Sequence, residues 1–168
     1  MMYQMNSPKE AGMTDYILLI EISARRLKVL DGSGVEIEEF PVICGRKSLE
    51  GHKIAEGDER TPRGDYYICT INEKSKFTVF YGISYPNVED GQRGLREALI
   101  SKQEMDAIGT ALKDRKRPPW DTRLGGEVGI HGGGIDRDGT RGCIGMRDQD
   151  ALELRRYISM GMPVRLVW

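Results

Sequence analysis

The chain reads as a mainly β protein with short helices, a β-rich α+β fold in one domain. Three observations lead there. Short apolar runs, alternating or continuous, recur from Tyr16 to Tyr85 with turn residues between them. Helical spacing appears only in brief stretches between and after the strands. A chain of 168 residues also suits a single core, since a domain of this size buries roughly two-thirds of its unfolded surface.

Met1 to Met13 has no apolar centre and carries Lys9 and Glu10, so it does not read as a signal peptide. Residues 1–14 are expected as a flexible segment ahead of a domain spanning 15–168. Tyr16 to Ser23 is a first, largely buried strand, and Arg26 to Leu30 alternates as a second. Asp31-Gly-Ser-Gly34 turns the chain into a third run, Val35 to Cys44. Gly45 to Gly57 is a polar loop in which His52 is expected to be solvated. Pro62 and Gly64 punctuate a tight turn before the strand ending at Thr70, and a further strand runs from Phe77 to Tyr85.

Residues 88–127 differ in kind, being charged and partly helical, and are expected as a lid-like insert. Arg93 to Ile100 reads as a short helix. Ser101 and Glu104 have capping-box spacing for a second, whose apolar face is Met105, Ile108 and Leu112. Lys113, Arg115, Lys116 and Arg117 suit its C-terminus, or would attract carboxylate-rich ligands. Asp148 is expected to cap a third helix, closed by Gly161 and Pro163. Val164 to Trp168 is a last strand, central to the sheet although terminal in sequence.

Between these elements, Gly129 to Met146 holds seven of the chain's 21 glycines, with His131 and Cys143 among them. Glycine at this density permits close approaches that side chains forbid. Val128 and Ile130 alternate with Gly129 and His131, and Ile144 and Met146 with Cys143 and Gly145. A histidine and a cysteine thus share one face while apolar neighbours bury the other. A Cys-His nucleophile pair needs that layout: a thiol, a base within reach and backbone N–H groups beside it.

Other chemistry is poorly represented. Net charge is −1, so no overall field argues for nucleic acid or a membrane surface. No apolar run approaches the ~20 residues of a spanning helix. Cys44, Cys69 and Cys143 lack metal-ligand spacing, and no further ligands flank His131 and Cys143, so no metal site is expected. Cys44 and Cys69 lie in strand-like runs and read as buried small hydrophobes; whether they pair is left open.

His131-Gly132, then Thr140-Arg-Gly-Cys-Ile144, then a helix and Gly161-Met-Pro-Val-Arg-Leu166, resemble the L,D-transpeptidase catalytic domain family (YkuD-like). Thr61-Pro-Arg-Gly64 resembles that family's Thr-Pro-x-Gly turn and comes in the right order. The resemblance covers roughly residues 15–168 and implies a β-sandwich-like fold with the Cys and His in a groove. It implies Cys143 as nucleophile, His131 as base and the Gly132 carbonyl as the group orienting the imidazole. Cys143 is accordingly expected to have a depressed thiol pKa. The N–H groups of Gly142 and Cys143, with Arg141 and Thr140, would serve the oxyanion and substrate. Tyr85 and Trp120 would border the groove, although for Trp120 simple packing is the favoured reading.

The implied reaction forms a thioester at the L-centre of the third residue of a peptidoglycan stem peptide, then passes it to an amine. No cofactor is implied. Carbapenem-type β-lactams would be inhibitors, and the setting would be the periplasm or cell envelope, with the domain a monomer. The same pair would also suit an L,D-carboxypeptidase or a cross-link hydrolase. An inactive peptidoglycan-binding module is the alternative of another class. Two departures stand out: Gly145 occupies the place of a family arginine, for which Arg141 or Arg147 is expected to compensate, and the His-to-Cys spacing of 12 is short.

Overall fold

The structure, a computed structural model, describes residues 15–168; the expectations for residues 1–14 lie outside the described residues. Its strands are β1 (Ile17–Glu21), β2 (Arg26–Leu30), β3 (Glu36–Pro41), β4 (Gly64–Ser75), β5 (Thr78–Ile83), β6 (Gly129–His131), β7 (Ile144–Gly145) and β8 (Pro163–Val167). Three α-helices join them: α1 (Val88–Arg96), α2 (Lys102–Lys113) and α3 (Asp148–Leu154). The mainly β class with short helices is therefore what the chain adopts.

The strands lie in the order β3-β2-β1-β8-β4-β5-β6-β7. The last strand is central, parallel to β1 (Leu18 opposite Val164) and antiparallel to β4 (Gly64 opposite Leu166). Its place follows from its burial pattern, since Val164 and Leu166 face inward while Arg165 stays out. Strand β4 links two regions, pairing with β8 over Gly64 to Tyr67 and with β5 over Ile68 to Ser75. Beyond β3 the chain returns to the opposite edge, where Ile43 and Gly145 exchange backbone bonds of 2.9 and 2.8 Å. The sheet thus curls until its two ends meet.

One core fills the curl, with Leu18, Ile20, Val29, Ile68, Tyr81, Ile130 and Ile144 in a single cluster. Each such aliphatic side chain contributes roughly 1.5–3 kcal/mol on burial. Ile130 and Ile144 are paired across β6 and β7 and have no exposed surface. They hold the two strand ends that carry His131 and Cys143. Cys44 and Cys69 are buried free thiols.

Helix α2 begins with the expected capping box of Ser101 and Glu104. Helix α1 begins at Val88, earlier than expected, because Asn87 and Asp90 form a second capping box. The two helices enclose a satellite cluster of Ile100, Ile108 and Leu124. In the basic run after α2, Arg115 donates to Gly161 O (2.6 Å) and covers the Tyr67 ring, while Arg117 covers Trp120. Those two arginines are packing residues.

Two expectations are corrected. His52 is half-buried and bonded at both ring nitrogens instead of free in solvent: its Nδ1 accepts from Arg63 N (2.7 Å), which leaves Nε2–H to donate to Asp90 Oδ1 (2.6 Å). Asp90 is 2% exposed and also accepts from Tyr66 OH at 2.9 Å. A carboxylate so buried requires such partners. Asp148 is the first residue of α3, not its cap, and Arg147 takes the cap position without a side-chain bond. The Asp148 carboxylate is used elsewhere, as described next.

Candidate active site

His131 ends β6 between Phe80 of β5 and Gly145 of β7. Its Nδ1 lies 2.5 Å from Gly132 O. A carbonyl only accepts, so Nδ1 carries the proton and Nε2 is left with its lone pair. Phe77 stacks on the imidazole with centroids 4.5 Å apart. The ring is 5% exposed. Burial pulls its pKa down, the Gly132 carbonyl opposes this, and the Arg137 charge adds to the lowering.

The turn after His131 is pinned by Asp148, whose Oδ1 accepts from Gly133 N (2.8 Å) and Thr78 Oγ1 (2.5 Å). These bonds, Thr78 foremost, hold the carboxyl below its usual range. A Cβ at position 132 would stand 2.5 Å from Asp148 Oδ1 and 2.7 Å from Phe77 O, so only glycine fits there.

Cys143 stands just before β7 on a loop tied to the Thr-Pro turn. Thr61 Oγ1 donates to Gly142 O (2.8 Å) and accepts from Gly45 N (2.9 Å). Thr61 N donates to Ser48 Oγ at 3.0 Å. Thr140 Oγ1 donates to Cys143 O (2.6 Å) and accepts from Gly142 N (3.0 Å). Gly142 sits at φ +144°, where a Cβ would press within 3.0 Å of Arg60 O. The Thr-Pro-x-Gly turn therefore braces the cysteine loop across 81 positions of sequence.

The cysteine is half-buried and its Sγ–H donates to Glu127 O at 3.4 Å. Burial pushes the thiol pKa up, against the Gly129 N–H and the Lys53 charge. The expected depression of this pKa is thus reversed. The lowered imidazole and the raised thiol both favour the uncharged forms over an ion pair. Glu127 itself takes φ +53°, a left-handed conformation uncommon for a non-glycine residue.

His131 and Cys143 line one cavity of about 740 Å³, together with Phe77, Phe80, Trp120 and Glu127. Thr140 and Arg141 also border it. Trp120 both borders the groove and packs, donating Nε1–H to Tyr85 O and meeting Phe80 edge-on. Tyr85 is not part of the groove. It is fully buried, its hydroxyl bonded to Leu124 O at 2.7 Å, so it is a core residue. The Gly142 N–H is likewise already held by Thr140. Of residues 88–127, only Trp120 and Glu127 border the cavity. A second cavity of about 720 Å³, lined by Leu19, Tyr66 and Leu112, contains neither His131 nor Cys143.

Sequence reasoning missed Phe77, Glu127, Arg137 and Asp148 as site residues. Three of them left a sequence signal, Arg137 as a charge within the glycine-rich stretch and Glu127 and Asp148 as charges flanking it. Among the described residues, no three His, Cys, Asp or Glu side chains converge as a metal site, and no helix is long and apolar enough to cross a membrane.

A family model, the YkuD L,D-transpeptidase catalytic domain, matches residues 15–166. The chain belongs to this family. Among solved structures it is similar to Bd1075 of Bdellovibrio bacteriovorus, with 21% identity over 96% of this chain and 50% of that one, TM-score 0.61. It is similar to the helical cell shape determining protein Pgp2 of Campylobacter jejuni, with 22% identity over 94% and 52%, TM-score 0.62. A third is the L,D-transpeptidase LdtMt1 in complex with imipenem, with 13% identity over 92% and 59%, TM-score 0.51. At these identities the likeness is one of fold, and the chain spans about half the length of Bd1075 and Pgp2. No curated protein sequence matches the chain.

Proposed function

We propose that the chain is a cysteine-dependent L,D-transpeptidase acting on peptidoglycan stem peptides in the cell envelope. The observation that carries this reading is a buried His131, its tautomer fixed by Gly132 O, sharing one cavity with Cys143 in a member of this family. His131 Nε2 takes the thiol proton as Sγ attacks the carbonyl of the third stem residue. The oxyanion is held by the Cys143 N–H and by Arg141. As the C–N bond to D-alanine breaks, His131 returns the proton to the leaving amine. An amine from a second stem then attacks the thioester, giving up its proton to His131, and the thiol is regenerated. Assistance of this kind from His131 contributes on the order of a hundredfold or more.

A neutral resting pair suits this scheme, because proton transfer accompanies attack instead of preceding it. Incubating the protein with disaccharide-tetrapeptides, with and without an acceptor, tests the reading by mass spectrometry. Released D-alanine with cross-linked dimers is expected, together with one imipenem adduct lost in Cys143→Ala. Released D-alanine with tripeptide alone would make water the acceptor and the chain a carboxypeptidase. Neither product nor adduct from folded protein would overturn the reading.

A further inference from the structure

The cavity around Cys143 has a charge unlike that of the chain as a whole. Lys and Arg number 25 against 26 Asp and Glu in the sequence. Yet Arg46, Lys76, Arg137 and Arg141 all line this cavity, with Glu127 as its one carboxylate residue. Their engagements differ. Arg46 is paired with Glu59 (2.8 Å) and Asp138 (3.6 Å), and the Lys76 ammonium lies over the Phe77 ring at 5.1 Å. Among the described residues, no carboxylate pairs with Arg137 or Arg141.

Arg137 is the better placed of the two. It belongs to the loop that follows His131, and its guanidinium lies beside Gly133: a Cβ built there would be 3.9 Å from Arg137 Nη2 and 3.3 Å from Phe77 Cδ1. Gly133 adjoins the residue whose carbonyl holds the imidazole, and Phe77 is the ring stacked on it. The guanidinium thus stands at the edge of the Phe77–His131 stack, facing the cavity. Its charge acts on both His131 and Cys143. Phe80, the cross-strand neighbour of His131, and Trp120 line the same cavity, packed edge to face. An unpaired cation beside the reacting groups and aromatic rings in the same cavity suit a ligand that carries both an anionic group and apolar surface.

We propose that Arg137 binds the side-chain carboxylate of the third stem residue, whose backbone carbonyl is the scissile one, and so makes this site selective for anionic donors. The inference rests on Cys143 being the nucleophile. It also relocates the charge missing at Gly145. Arg147 does not supply it, since it caps α3, faces Asp150 at 3.8 Å and is absent from the cavity wall.

Two alkylators with the same reactive carbon, iodoacetate and iodoacetamide, differ only in charge and test the field at Cys143 without any turnover. Rates at Cys143 are read peptide by peptide, which separates it from Cys44 and Cys69. In Arg137→Gln, the iodoacetate-to-iodoacetamide ratio is expected to fall roughly three- to tenfold, and the difference to shrink with added salt. Arg137→Lys should restore most of the ratio. Position 137 is exposed, so the variants are expected to fold as the parent does.

A second arm compares stem peptides with the carboxylate at the third residue free or amidated. The parent should prefer the free acid through a lower KM, and Arg137→Gln should bring the KM values of the two peptides together. An unchanged alkylation ratio in Arg137→Gln, or a fall confined to Arg141→Gln, overturns the proposal even if the enzyme turns over. Absence of turnover with an altered ratio would instead overturn the transpeptidase reading and leave Arg137 as an anion-binding group.

Discussion

Replacing Thr61 by valine removes one hydroxyl and alters little else in size, yet the structure makes that hydroxyl a brace for the cysteine loop. Thr61 is fully buried, and its Oγ1 joins Gly45 N (2.9 Å) to Gly142 O (2.8 Å). Valine leaves both backbone groups without partners in the interior, each at a cost of about 1–3 kcal/mol. A combined loss of about 4 kcal/mol is a large fraction of the ~5–15 kcal/mol that keeps a domain folded. For a chain of this size it corresponds to a fall in Tm of about 8–16 °C. Serine keeps the hydroxyl and loses only a methyl, about 1 kcal/mol. Gly142 adjoins Cys143, so freeing its carbonyl should also let the thiol drift. A misplacement of ~1 Å costs on the order of a hundredfold in rate. Calorimetry of Thr61→Val and Thr61→Ser gives the first quantity. Imipenem acylation well below each Tm gives the second. Equal melting of the two variants would refute the energetic argument, and parental acylation rates in Thr61→Val would refute the brace.

Two pH effects follow from the thiols. Because burial raises the Cys143 pKa and lowers that of His131, alkylation of Cys143 by iodoacetamide should climb through the ordinary thiol value of ~8.5 without a plateau near neutrality; a flat, fast rate from about pH 5 to 8 would mean a preformed ion pair. Cys44 is pushed by burial from 9.0 to about 12, so the folded state favours its neutral form. That contribution is complete below pH 9.0 and is lost as pH rises toward about 12. Urea titrations should show about 2 kcal/mol less stability near pH 10.5 from this group, and Cys44→Ala should lose less than the parent over the same range.

Much of the fold was legible because its elements follow local pattern. The alternation of Val164 and Leu166 against Arg165 marked a half-buried strand, and Ser101 with Glu104 marked the start of α2. The glycine-rich stretch signalled backbone approaches that the structure contains, at Gly132 against Asp148 and at Gly142 against Arg60. Misread residues were those whose partners are remote. His52 looked like a loop histidine because Asp90 is 38 positions away. Asp148 had the chemistry of a cap, but it stands one residue inside α3 and its carboxylate is taken by Gly133 N and Thr78 Oγ1. Tyr85, expected at the groove, lies past the end of β5 with its ring fully buried and its hydroxyl on Leu124 O, a partner 39 positions away.

Position 145 joins the fold to the chemistry. In β7, Gly145 pairs with His131 on one side and bridges Ile43 on the other, closing the curled sheet. A Cβ there would come within 2.9 Å of Ile43 Cγ1 and 3.4 Å of Thr140 Cγ2. A side chain would therefore have to displace Ile43, which is 4% exposed, and crowd the threonine that fixes Cys143 O and Gly142 N. Closing the sheet this tightly and carrying an arginine at 145 are competing demands on the same few ångströms. With the position given to packing, a cation for the site must come from a segment free of the sheet. The short loop between His131 and Cys143 is such a segment, and it brings Arg137 to the cavity from the histidine side. Charge introduced from there bears on the imidazole as well as the thiol, lowering the pKa of both. It therefore favours a thiolate while disfavouring an imidazolium, and so works against a preformed ion pair on the histidine side.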